Sequence, residues 1–227
     1  MLHYNSYESL STAAAHFFTV AYKRSVAEHD QFTVALSGGN TPKRLYELLA
    51  TSEFSNNINW KKVFIFFSDE RYVPHSNAES NFRMVKEALL DHIPISKKNI
   101  FVIPTGSTPA KDAAVYEASV KRITGDKKIA FDLILLGMGT DGHTASLFPG
   151  NEILNEKKRL VKEVFVKEKN IYRISFTLSL INKAKQVLIL ATGEEKKPLL
   201  QKISSNRKIK DPLPVQLVKG DITWMVS

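Results

Sequence analysis

The chain has 227 residues, 43% of them hydrophobic and 24% charged, with a formal net charge of +9 and no cysteine. That balance supports a sizeable core and argues against disorder, while the lack of cysteine excludes disulfides, thiolate metal sites and a cysteine nucleophile. No apolar run approaches the ~20 residues of a membrane span. The N-terminal MLHYNSYESLSTAAAHFF also lacks the basic start and small-residue cleavage site of a secretory signal. The expectation is a soluble cytoplasmic protein folded as a single domain over residues 1–227.

In chain order, Leu10, Ala14, Phe17 and Ala21 recur at helical spacing. FTVAL (32–36) is an all-apolar strand, followed by Gly38-Gly39 and the helical TPKRLYELLATS, read with Thr41 as cap and Pro42 at the first helical position. VFIFF (63–67) is a second strand, then come the helices NAESNFRMVKEALLDHI and TPAKDAAVYEASVKRI. FDLILL (131–136), VLILA (187–191) and ITWMV (222–226) complete the strands. Apolar strands alternating with helices predict a doubly wound, mostly parallel α/β sheet flanked by helices on both faces. In such sheets ligands sit at the carboxyl ends of the strands.

At the first strand end, Gly38 and Gly39 let backbone approach a ligand, and the amides of the next helix start point at it. Bare N–H groups and the helix dipole bind phosphate readily; an ordinary tight turn is the competing reading. No Gly-Lys-Ser/Thr follows, so this is not a Walker loop. The second strand ends in Asp69, Glu70 and Arg71. Three charges at a buried strand's end imply either a site or an internal Asp–Arg pair that holds the loop. Ser80 or Asn81 starts the next helix, and Arg83 reads as structural or solvated.

Gly137, Gly139 and Gly142 spell G-x-G-x-x-G after FDLILL. A dinucleotide fingerprint needs a long helix next and an acid about 20 residues on. Here Pro149 and Gly150 cut any helix short, the region near Glu163 is lysine-rich without a clean strand end, and the loop itself carries Asp141. The glycines instead shape a loop that presents Asp141 and His143. An unperturbed imidazole titrates near ~6.5, which suits a general base, and a nearby carboxylate can orient it. A structural histidine is the alternative. His3, His16, His29 and His92 read as surface or packing groups, and His75, in a loop near Asp69, is a minor candidate.

There is no G-x-S-x-G elbow and no H-E-x-x-H spacing, although Asp69, Asp141 and His143 could meet around a cation. The basic runs NEKKRLVKEVFVKEK and EEKKPLLQKISSNRKIK carry no nucleic-acid motif. They read as solvated faces of helices or loops that mildly steer an anionic substrate.

Together LSGGNTP, SDERYVPHSNAESN and LLGMGTDGHTASLFPG resemble the 6-phosphogluconolactonase family, with fainter matches in YRISFTLSLINKA, ATGEEK and LPVQLVKGDITWMV, in the same order along the chain. Glucosamine-6-phosphate deaminase/isomerase is similar in fold, but there D-G-H is followed by I-A-F-N-E-P, and the earlier strand ends in D-E-Y. The resemblance implies hydrolysis of 6-phospho-D-glucono-1,5-lactone in the oxidative pentose phosphate pathway, without metal or cofactor. It implies His143 as base, Asp141 orienting it, and substrate or phosphate contacts from Gly38, Gly39, Asn40, Thr41, Asp69, Arg71, Arg173 and Lys196. Backbone N–H groups of the glycine loop, or an arginine, would stabilise the oxyanion. The expected partner is a small sugar phosphate, with neither nucleic acid nor membrane; the oligomeric state is not legible. The rivals are an isomerase/deaminase using Asp69 as base and a non-catalytic sugar-phosphate sensor.

Overall fold

The computed structural model describes residues 1–125, 130–205 and 211–227. The elements run β1 (Leu2–His3), α1 (Tyr7–His29), β2 (Phe32–Leu36), α2 (Asn40–Ala50), α3 (Ser52–Ser55), β3 (Val63–Phe67), β4 (Asp69–Arg71), α4 (Asn81–Ala88) and α5 (Pro109–Thr124). They continue with β5 (Leu133–Gly137), β6 (Val161–Val166), β7 (Ile171–Phe176), α6 (Leu178–Ile181), β8 (Val187–Ala191), α7 (Lys197–Ser204) and β9 (Ile222–Val226). No described helix is long and apolar enough to cross a membrane.

Six strands form one sheet in the order β1-β9-β8-β5-β2-β3, and every pair is parallel. All residues of β2 and β8 are buried, as expected of parallel strands covered on both faces. After β2 the chain builds outward to β3, then returns to lay β5 on β2's other side and proceeds to β8 and β9. The strand order therefore reverses between β2 and β5. Loops leaving the carboxyl ends of those two strands diverge there and open a crevice.

A parallel strand's last groups need partners beyond the ladder, and two buried tyrosines supply them. The Tyr46 hydroxyl accepts from the Ser37 N–H (3.1 Å) and donates to the Ser37 carbonyl (2.7 Å). The Tyr116 hydroxyl makes the same pair of bonds to Phe67, at 2.7 and 3.1 Å. Burial pushes both phenols well above their ordinary pKa. Each strand end is thus locked just before the loop that carries site residues.

The structure corrects several expectations. Thr41 does not cap α2: the cap is Gly39, which has no side chain to bond the helix start, and the Thr41 hydroxyl pairs with that of Thr192 (3.0 Å). Pro42 is the third helical residue, still within the first turn, where N–H groups have no intrahelical partner. The third strand begins at Leu133 because Asp132 turns its carboxylate onto the Thr33 N–H and hydroxyl, both at 2.8 Å. NEKKRLVKEVFVKEK is no helix or loop face: it contains β6, which pairs antiparallel with β7, itself antiparallel to β4. This second, three-stranded sheet went unpredicted, since β6 alternates buried valines with half-exposed charges only loosely. Residues 206–210 of the other basic run lie outside the described residues.

Candidate active site

The crevice at the strand reversal is a cavity of about 420 Å³. It gathers Gly38, Gly39, Asn40 and Thr41 from the β2–α2 turn, Asp69 and Arg71 from β4, His143 from the loop after β5, Arg173 from β7, and Lys196 ahead of α7. Segments more than 150 residues apart in sequence meet here. Asp141 does not line the cavity but bonds His143, which does.

The loop geometry fixes the imidazole. Asp141 Oδ1 accepts both the His143 backbone N–H (3.1 Å) and its ring Nδ1–H (2.6 Å). Because the carboxylate is an acceptor, Nδ1 carries the proton and the neutral ring keeps its lone pair on Nε2. Burial alone would raise the Asp141 pKa, but the His143 N–H, the histidine charge and the ring hydrogen bond outweigh it and hold the carboxyl below its ordinary value. Phe148 stacks on the ring at 4.3 Å between centroids, and the Arg173 guanidinium lies over the Phe148 ring, 5.3 Å from its centroid. Gly139 is required: a Cβ there would lie 2.2 Å from His143 Nδ1 and Cε1. Ala145 adopts a left-handed φ of 47°, a strain that costs of order 1–3 kcal/mol and clusters at functional sites. The Gly139 and Gly142 N–H groups are spent inside the loop, on the His143 and Gly139 carbonyls. Those two donors cannot serve an oxyanion, so the arginines are the better source.

The three charges after β3 divide by strand alternation. Asp69 and Arg71 face one way, towards the cavity, and Glu70 the other. Glu70 is buried against the start of α4, accepting from the N–H groups of Arg71, Asn81 and Phe82 and from the Ser80 hydroxyl. Burial pushes its pKa up, against the pull of those donors. Asp69 accepts the Ser146 hydroxyl at 2.6 Å and lies 3.7 Å from Arg173 Nη1.

The cavity has a cationic excess, with Arg71, Arg173 and Lys196 against Asp69 and Glu195. Arg71 and Arg173 are directly opposed across the β4–β7 pair. The Nε atoms of both are buried without a partner among the described residues. Burial lowers the Arg173 pKa, with Asp69 pulling it back up, and burial likewise lowers that of Lys196 against Glu195. Opposite them the start of α2 presents backbone amides that no side chain caps. Uncapped amides, a helix dipole and three cations in one crevice suit a dianionic group such as a phosphate.

His75 is elsewhere, bonding the Ile103 carbonyl (2.9 Å) and packing on Phe82. His29 bonds the buried Asp132 at 3.0 Å, away from the cavity. Arg83 bonds Glu87 and the Ser76 carbonyl. Among the described residues no group of three His, Asp or Glu side chains is placed to hold a metal ion. Sequence reasoning missed Ser37, Asn81, Ser146 and Phe148. All four lie inside the motifs that carry the family resemblance, but only Asn81 had a local signal of its own, as a helix start.

A sequence model of glucosamine-6-phosphate isomerases/6-phosphogluconolactonase matches residues 5–224. The chain belongs to this family. A 6-phosphogluconolactonase of Synechocystis sp. is 38% identical over 215 residues, covering 92% of this chain and 87% of that protein. A 6-phosphogluconolactonase of Haemophilus influenzae is 38% identical over 187 residues, 82% of this chain and 79% of that one. The solved 6-phosphogluconolactonase from Thermotoga maritima superposes with a TM-score of 0.85 at 29% identity, covering 99% of this chain and 98% of its own. A monomeric glucosamine-6-phosphate deaminase shares the fold with a TM-score of 0.84 at 19% identity, covering 99% and 95%. The six-stranded, mostly parallel sheet flanked by helices is thus the family architecture.

Proposed function

We propose that residues 1–227 act as one 6-phosphogluconolactonase domain, a carboxylic ester hydrolase of the oxidative pentose phosphate pathway that works in the cytoplasm without metal or cofactor. The observation that carries this reading is the His143–Asp141 pair at a cavity that also gathers Arg71, Arg173 and Lys196. Relatives that share most of this chain's length are named as that enzyme.

In the reaction the phosphate is held by the Gly38–Gly39 turn, Asn40, Thr41, Arg71 and Lys196, with Arg173 beside them. Water attacks the ring carbonyl carbon while His143 Nε2 removes its proton and Asp141 steadies the imidazolium. The carbonyl electron pair moves to oxygen, and an arginine N–H donates a hydrogen bond to the oxyanion so formed. As that pair returns, the bond to the ring oxygen breaks, and the ring oxygen takes the proton back from His143. Water has then been added across the ester, giving a carboxylic acid and a hydroxyl. A δ-lactone is an activated ester, so one base worth ~10²–10⁴-fold plus positioning suffices.

The test is hydrolysis of freshly generated 6-phosphogluconolactone at neutral pH with chelator present, beside a blank for spontaneous opening. The protein should clearly outpace the blank. A rate equal to the blank, or ammonia release from glucosamine 6-phosphate, would overturn the reading.

A further inference from the structure

Besides the two arginine Nε atoms, two polar atoms of residues that line the cavity are buried and have no hydrogen-bond partner among the described residues: Asn81 Oδ1 and Ser37 Oγ. Their residues are only 2% and 4% exposed. A buried polar atom left unpaired in a native protein calls for an explanation.

The Asn81 amide cannot be turned round. Its Nδ2 donates to the Asp69 carbonyl at 2.9 Å and to Asp69 Oδ1 at 3.3 Å, and both partners are acceptors. The oxygen is therefore held on the opposite side, against Gly38, where a Cβ would lie only 1.8 Å from it. Gly38 leaves the space that this carbonyl oxygen occupies. Ser37 is in a similar position. Its backbone N–H and carbonyl are both taken by the Tyr46 hydroxyl, so only its side-chain hydroxyl is left over.

A fixed carbonyl oxygen accepts and never donates. It offers nothing to a phosphate, whose oxygens are acceptors too, and it suits a hydroxyl. We propose that Asn81 and Ser37 form a hydroxyl-reading subsite, in which ring hydroxyls of the sugar donate to Asn81 Oδ1 and pair with Ser37 Oγ. The subsite rests on the lactonase reading above and adds to it the means of selecting a polyhydroxylated ring. Sites built to bond a substrate hydroxyl reject the analogue lacking it, because their own buried polar groups then stay unpaired.

The experiment compares kcat/KM for 6-phosphogluconolactone with that for its 2-deoxy and 3-deoxy counterparts, each generated from the matching sugar 6-phosphate. Wild type should favour the parent over at least one deoxy lactone by about tenfold or more. In Ser37→Ala and Asn81→Ala that preference should shrink by at least about fivefold. Ser37→Ala removes a hydroxyl that bonds nothing in the fold, so it tests the subsite even if loss of the Asn81–Asp69 bonds destabilises the other variant. A parent-to-deoxy ratio that is the same in wild type and both variants overturns the subsite alone. Wild type that does not exceed spontaneous opening on any of the three lactones overturns the lactonase reading, and the subsite with it.

Discussion

Arg71 and Arg173 stand directly opposite each other across the β4–β7 pair, each with a buried Nε that has no partner among the described residues. Like charges in this position are destabilising in an antiparallel sheet. Asp69, 3.7 Å from Arg173, offsets only part of that charge. The arrangement suits a ligand that brings its own negative charge.

Arg71→Gln and Arg173→Gln should therefore each raise KM for the phosphorylated lactone by about 10–100-fold, the value of one hydrogen bond to a charged group. Hydrolysis of unphosphorylated glucono-δ-lactone should lose less, keeping only the part of the effect that comes from the oxyanion. Steady-state kinetics on the two lactones side by side checks this, and an equal loss on both would remove the arginines from the phosphate.

His143→Ala should lower kcat by ~10²–10⁴-fold. Gly139→Ala should do nearly the same although it leaves the histidine in the chain, because its Cβ would lie 2.2 Å from the ring. Circular dichroism should show both variants folded. A fully active Gly139→Ala protein would mean that the imidazole has another productive position.

Tyr46→Phe leaves the N–H and carbonyl of Ser37 without their partner. Unpaired buried groups cost ~1–3 kcal/mol, so chemical denaturation should show a loss of that order. KM should rise too, since Ser37 anchors the turn that carries Gly38 and Gly39. Unchanged stability would indicate that other groups or water replace the phenol.

Asp141 has a depressed carboxyl pKa in the folded protein. The native state therefore favours its charged form, and the stability this confers is complete above the ordinary carboxylate value of ~3.9 and lost as pH falls through the folded value. In Asp141→Asn that loss cannot occur. Melting temperature plotted from neutral pH down to about pH 2 should fall less steeply for the variant than for wild type. Parallel curves would remove the pair from the acid limb.

Much of this protein is determined by local sequence. Five of the six strands of the main sheet are short apolar runs because both their faces are covered, and that leaves a continuous pattern to read. The D-G-H loop is equally local: Asp141 and His143 are two residues apart, so their hydrogen bond needs only the turn that the glycines permit. The rule that ligands collect at strand carboxyl ends led to Gly38, Asp69 and Arg71 as well. Tertiary structure decided the rest. β6 and β7 are antiparallel and only loosely alternating, so their sheet is specified by pairing with each other and with β4. That pairing opposes Arg173 to Arg71 and turns Glu70 away to the start of α4. Asn81 and Ser37 read locally as a helix start and a strand end. Their roles emerge only when Asp69 claims one side of the Asn81 amide and Tyr46 claims the backbone of Ser37, because a hydrogen bond left over is a property of all the neighbours a residue finds on folding.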